Sequence, residues 1–295
     1  MTLVGILTAV AIGLVVGVIP GIFGVGGGFL MVPLLHVLAG VPIPIAVGCC
    51  SAQSLGTVTT GMLHRRVGGE RSLRLAWLLF PGTLVGLEFG IALLEWTKHS
   101  TAVLAVAGRT LPLMETVQLV CYLAIMLVLA AVVGLETIYN VDEHDTHRRG
   151  ALDSVALPPR IALPELDGRT VSLPLVTLLG LFVGILNGGF GMGGALLQVP
   201  ALAYLFGVGT HRAVAVTLAS SFLTGVCSTA SHAYRGNVDL PLVCWLLLGG
   251  TLGAQAGSLI AVRLSGRKLR RWFALVILAS TGIILARLGH LMLGE

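Results

Sequence analysis

The chain has 295 residues, of which 56% are hydrophobic and only 11% charged, with a mean hydropathy of +0.96. A soluble domain carries roughly a quarter charged residues, so this composition excludes a soluble enzyme, a nucleic-acid-binding domain and a disordered chain. The net charge of +5 fits the basic loops of a polytopic helical membrane protein. The apolar runs are long and unbroken, which separates them from the short alternating segments of a membrane barrel.

A helix needs about 20 apolar residues to cross the hydrocarbon core. In chain order, the sequence predicts spans at 2–20, 24–40, 43–63, 73–96 and 112–136, then 172–188, 191–206, 211–233, 239–262 and 269–291. The first lacks a basic leader and a clear cleavage site, so it reads as a retained span rather than a signal peptide. The second and seventh are short and open in glycine-rich sequence. This divides the chain into a first membrane repeat (1–138), a cytoplasmic connecting loop (139–171) and a second membrane repeat (172–295). The connector holds six of the 13 acidic residues with Pro158, Pro159 and Pro164, and has no room for a domain. Its Asp142–His147 run reads as a solvated stretch rather than a metal site.

The two halves repeat at a shift of 167 residues. Gly21, Phe23, Gly24, Gly26, Gly27 and Pro33 match Gly188, Phe190, Gly191, Gly193, Gly194 and Pro200. Ala46-Val47 matches Ala213-Val214, and Gly86 and Gly90 match Gly253 and Gly257. Such register over more than sixty residues signals an internal repeat. Five crossings per repeat is an odd number, so the halves are expected to be inverted. The expected fold is all-α, with about ten membrane helices in two inverted five-helix repeats.

The basic residues give the orientation. Fourteen of the 18 Lys and Arg fall in loops that ten crossings place on one side, among them Arg65, Arg66, Arg148, Arg149, Lys268 and Arg270. The positive-inside rule puts that side, with the connector, in the cytoplasm and both termini outside. Were the second and seventh spans re-entrant, the two richest short loops would fall on opposite sides.

Gly24, Gly26, Gly27 and Gly28 form the first glycine-rich break, and Gly191, Gly193 and Gly194 the second. Glycine weakens a helix interior, and irregular backbone at membrane depth is tolerated only inside protein or along a cavity. A break that starts a helix leaves free N–H groups at a positive dipole end. Two breaks placed by an inverted repeat can hold an anion between them near the midplane. Close helix packing is the competing reading, preferred for Gly86, Gly90, Gly253 and Gly257.

These motifs resemble the TauE/SafE sulfite and organosulfonate exporter family. The paired glycine motif with its proline, the Ala-Val at the head of the next helix and the Arg235–Asp239 segment carry the resemblance over nearly the whole chain. It implies export of sulfite, sulfoacetate or a similar sulfur oxyanion across the cytoplasmic membrane. The family often has a small hydroxyl residue soon after Ala-Val. Thr217 keeps it in the second half, and Cys50 replaces it in the first.

Polar residues follow both Ala-Val pairs: Ser51, Gln53 and Ser54, then Thr217, Ser220 and Ser221. As neutral donors they suit an oxyanion in a dry site, although hydroxyls also bond their own helix backbone. Asn187 and Gln198 flank the second break as donors or caps. Cys49 and Cys50 are adjacent, about 100° apart on a helix, and form a poor chelating pair. Cys50 is the better substrate contact by repeat position.

Glu88 lies well inside a predicted span. Such an acid is a functional hypothesis by default, here a proton-coupling group. The competing reading is a structural partner for a hydroxyl or Arg. His64, Arg65 and Arg66 close the third span, and His232 closes the eighth. They are candidates for gathering anions or gating, against a topological role.

The expected function is secondary active export of a small sulfur oxyanion, without cofactor, metal or enzymatic activity, and with H+ as candidate coupling ion. The rivals are an anion channel and a soft-metal permease using Cys49, Cys50, Met31 and Met192. The expected partners are the lipid bilayer and the small anion, not nucleic acid, and glycine faces permit a homodimer.

Overall fold

The protein is described from a computed structural model covering residues 3–23, 28–65, 70–99, 103–106, 109–138, 152, 157–162, 170–192, 195–261, 275, 278–286 and 288–289. Its helices are α1 (Leu3–Phe23), α2 (Gly28–Ala39), α3 (Ile43–Arg65), α4 (Glu70–His99), α5 (Leu113–Ile138), α6 (Leu173–Phe190), α7 (Ala195–Leu205), α8 (Thr210–Tyr234) and α9 (Leu240–Ala261). The final apolar stretch is helical over 278–286. Every span read from hydropathy therefore contains a helix.

Helices dominate, as expected of an all-α membrane protein. Two short antiparallel ribbons lie between helices, β1 (Val103–Val106) with β2 (Arg109–Pro112) and β3 (Arg160–Ala162) with β4 (Thr170–Ser172). Val, Ile and Thr recur in these strands, and such residues favour extended backbone. The pairings are too short to leave a hydropathy signal.

Among the described residues, four helical segments are long and apolar enough to cross a membrane: 74–98, 173–190, 212–234 and 240–257. Their outward faces carry large apolar side chains such as Phe89, Leu93, Leu178, Phe182, Leu248 and Leu252. α2 and α7 have 12 and 11 residues, about 17 Å at 1.5 Å per residue. Alone, each covers little more than half of a ~30 Å core.

The 167-residue shift recurs in the backbone. Gly40 and Gly207 both take positive φ, +64° and +65°, where α2 and α7 end. Val41 N–H donates to Leu35 O and Val208 N–H to Leu202 O, at 3.1 and 3.0 Å. Ala46 and Ala213 then donate to Pro42 O and Gly209 O, both at 2.9 Å. The left-handed turn reverses the chain after each half-length helix, and glycine adopts it without steric cost.

The most extensive helix packing crosses between the halves: α1 lies on α9, and α4 on α6. Glycine stripes make both contacts. An added methyl at Gly82, Gly86 or Gly90 would meet the carbonyls of Thr177, Leu181 or Ile185, and at Gly180, Gly184 or Gly188 those of Leu79, Thr83 or Leu87. Gly249 and Gly253 meet Val10 and Leu14 in the same way. Contact positions rise together in both helices of each pair, so each pair is parallel. In α3 and α8 they run oppositely, with Ser51 beside Ser228 and Gly61 beside Leu218, so these helices are antiparallel. Exchanging the halves maps the α1–α9 contact onto α6–α4, and α4–α8 onto α9–α3, and both are present.

Two apolar cores lie at opposite ends of the bundle. One joins the ends of α4 and α2 to the starts of α3 and α9 through Leu94, Leu35, Ile43 and Leu242. The other joins the starts of α4 and α6 to the end of α7 through Leu75, Val176 and Leu202.

Candidate functional site

α6 begins after Ser172, whose backbone is extended, with a proline in the first turn, and ends at Gly191 in the left-handed conformation, φ +64°. The second break therefore starts with a chain reversal that suits glycine. Gly191 lies directly against Gly28, the first residue of α2: an added methyl on Gly28 would strike Gly191 O, and Cys50 Sγ would lie 3.1 Å away. Cys50 is fully buried and donates toward Gly191 O at 3.1 Å and Gly28 O at 3.6 Å. The start of the helix after one break thus meets the start of the other break, with the Cys50 thiol between them. Gly24, Gly26 and Gly27, and Gly193 and Gly194, lie outside the described residues.

Several hydroxyls near this junction bond their own helix. Ser54 donates to Ser51 O, Ser220 to Thr217 O, and Thr59 and Thr60 to carbonyls four residues back. Others link helices: Ser228 donates to Ser51 Oγ at 3.0 Å across α8 and α3, and Gln198 Nε2 donates to Ser220 Oγ at 2.7 Å from α7 to α8. Ser221 is also buried. Gln53 Nε2, Thr217 Oγ1 and Asn187 Oδ1 are buried without a hydrogen-bond partner. Buried polar atoms are rarely left so. Thr217 occupies the repeat position of Cys50, so the two halves offer a thiol and a free hydroxyl at equivalent places.

Cys49, next to Cys50, turns away from the junction: it accepts from Asp239 N–H at 3.3 Å. The two thiols therefore serve different contacts. All five cysteines are free. Among the described residues no group of three His, Cys, Asp or Glu could hold a metal ion.

Glu88 is half-exposed and bound on both sides. Ser231 donates to its Oε1, and the Arg235 guanidinium contacts its Oε2 at 2.8 Å. Glu88 is thus held by both a hydroxyl and a guanidinium of α8 and its end. Nearby, buried Asn237 donates to Glu95 and accepts from Lys98 Nζ at 3.0 Å, which ties the α8–α9 loop to the end of α4. An added methyl at Gly48 would meet Asn237 O, so this loop also presses on α3. His232 is fully buried in the last turn of α8. His64 and Arg65 close α3 with side chains outside the described set, and Arg66 lies outside the described residues.

Two residues that sequence reasoning passed over belong to the junction. Gln118 Nε2 donates to Gly189 O at 2.7 Å, and Tyr122 Oη donates to Phe190 O. Both are buried. The signal available was a polar pair four residues apart, on one face of an otherwise apolar helix.

The family described as sulfite exporter TauE/SafE matches residues 9–284 of the chain. A probable membrane transporter protein of Xylella fastidiosa (strain 9a5c) is 25% identical over 95% of this chain and 94% of its own. The probable membrane transporter protein YjnA of Bacillus subtilis is 27% identical over 92% of this chain and 96% of its own. A third, YdhB of the same organism, is 23% identical over 82% of this chain and 84% of its own. No solved structure matches the chain.

Proposed function

The chain belongs to the TauE/SafE sulfite exporter family of membrane transporters, and from that premise we propose that it exports a small sulfur oxyanion, sulfite or an organosulfonate such as sulfoacetate, by secondary active transport across the cytoplasmic membrane. The observation that carries this reading is the contact of Gly28 with Gly191 through Cys50. It brings Gly191, where the second break begins, against the start of α2, whose N–H groups would receive an anion in this reading. Gln53 and Thr217, buried with donors unpartnered, offer further hydrogen bonds without a buried counter-charge.

Two inverted repeats are part of the proposal. The antiparallel run of α3 and α8 supports it, because four intervening crossings give that direction. Were α7 alone to turn back, α3 and α8 would be parallel. In this reading, ten crossings with the basic loops inside would leave the connector in the cytoplasm and both termini outside, and alternating access would move one bundle against the other around the junction. His64, Arg65 and Arg66 would gather anions at the inner face.

The coupling ion in this reading is H+. The pairing of Glu88 with Arg235 supports a fixed structural role for that acid, and the buried imidazole of His232 is the proton carrier in this reading. Collapsing only the proton gradient is expected to slow transport, and an unchanged rate would remove proton coupling.

The direct test is the purified protein in liposomes, assayed with sulfite, thiosulfate, sulfoacetate and methanesulfonate. Saturable flux with counterflow is expected. Ohmic current would make the protein a channel. Indifference to every sulfur anion, joined with Cu(I) protection of thiols from labelling, would favour the soft-metal permease.

A further inference from the structure

The last four carbonyls of a helix have no partner within it, and they form the negative end of its dipole. At the end of α6 three consecutive carbonyls, those of Gly189, Phe190 and Gly191, are each met by a side-chain donor from the first half of the chain. Gln118 Nε2 donates to the first at 2.7 Å, Tyr122 Oη to the second and Cys50 Sγ to the third at 3.1 Å. Gln118 is 6% exposed and Tyr122 1%. The Tyr122 ring also packs edge-on against Phe190, with centroids 5.3 Å apart.

The other half does not repeat this arrangement. A shift of 167 puts Leu285 and Gly289 where Gln118 and Tyr122 stand, and neither has a side-chain donor. The repeat therefore does not explain the pair. Gly191 is also the residue that abuts Gly28 at the junction.

We propose that Gln118 and Tyr122 are positioning residues of the anion site. They fix the second break where it faces α2, and they occupy carbonyl lone pairs that would otherwise point negative charge at a bound anion. The inference rests on the anion-transport reading and adds the prediction that loss of either donor discriminates by ligand charge. Repulsion from an exposed carbonyl scales with the charge of the ligand. A loss of packing alone does not.

The experiment measures binding to the full-length protein by tryptophan fluorescence, with thiosulfate as the dianion and methanesulfonate as the monoanion. Tyr122→Phe and Gln118→Met keep the shape and remove the donor. Each is expected to weaken thiosulfate binding about tenfold and methanesulfonate binding about threefold, within the range of one hydrogen bond. Met126→Ala is the control: it empties a buried position one turn further along α5 and is expected to change both anions by the same factor. Equal shifts for both anions in the donor variants, or shifts below about twofold while the native protein binds, would overturn the inference. A native protein that binds neither anion would overturn the anion reading, and this inference with it.

Discussion

Cys50 is a small side chain with a weak donor, placed where two backbone segments touch. A larger residue has no space there, since Gly28 and Gly191 already meet around the thiol. Cys50→Ser keeps a donor of similar size and is expected to leave the melting temperature and transport nearly unchanged. Cys50→Val removes the side-chain donor to the Gly191 carbonyl, and a buried unmet group costs about 1–3 kcal/mol. The expected outcome is a clear drop in melting temperature of the detergent-solubilised protein. The repeat position made Cys50 legible in the sequence, because it stands where the second half has Thr217. Gln118 and Tyr122 escaped notice for a physical reason. A polar side chain in an apolar helix is equally compatible with bonding its own backbone, a neighbouring helix or a ligand, and only the position of α6 decides among them.

At the scale of elements, glycine stripes set the closeness of the helix pairs. In lipid there is no hydrophobic gain from bringing two apolar helices together, so close backbone approach and dispersion carry the association. Gly86→Ala would drive a methyl into Leu181 O and is expected to destabilise by about 1–3 kcal/mol, in the range of overpacked cores, with loss of monodisperse protein on size-exclusion chromatography. Gly282→Ala is the matching contrast. Nothing lies within 4 Å of an added methyl there, and the higher helix propensity of alanine is expected to leave stability equal or slightly raised. Helix positions were readable because apolar runs of membrane length are unambiguous. Helix partners were not, because lipid-facing and protein-facing sides are both apolar, as the buried Leu87 and exposed Phe89 of α4 show. The sequence marked the stripes on α4 and α9 as packing faces, yet gave no means of assigning α4 to α6 and α9 to α1. The same stripes are occupied within one chain, so a homodimer would need a different face.

For the molecule as a whole, α3 and α8 are the antiparallel pair that exchanging the halves maps onto itself. Their Ser51 and Ser228 hydroxyls lie 3.0 Å apart. Replacing both, Ser51→Cys with Ser228→Cys, places two thiols at a separation suited to a disulfide. Under oxidation this bond is expected to abolish transport, with recovery on reduction, provided the movement between inward- and outward-facing states passes through this contact. Flux measured in liposomes before and after a reductant checks it, and full activity in the oxidised state would place the movement elsewhere.

The parallel pairing of α1 with α9 has a consequence for how the protein is made. The two helices are separated by more than two hundred residues of chain, so α1 enters the membrane long before its partner is synthesised. During that interval its glycine face meets lipid or the insertion machinery instead of α9. Assembly is therefore a late event that closes only when the second half arrives. The two halves, produced as separate polypeptides, would be expected to find each other through these same faces.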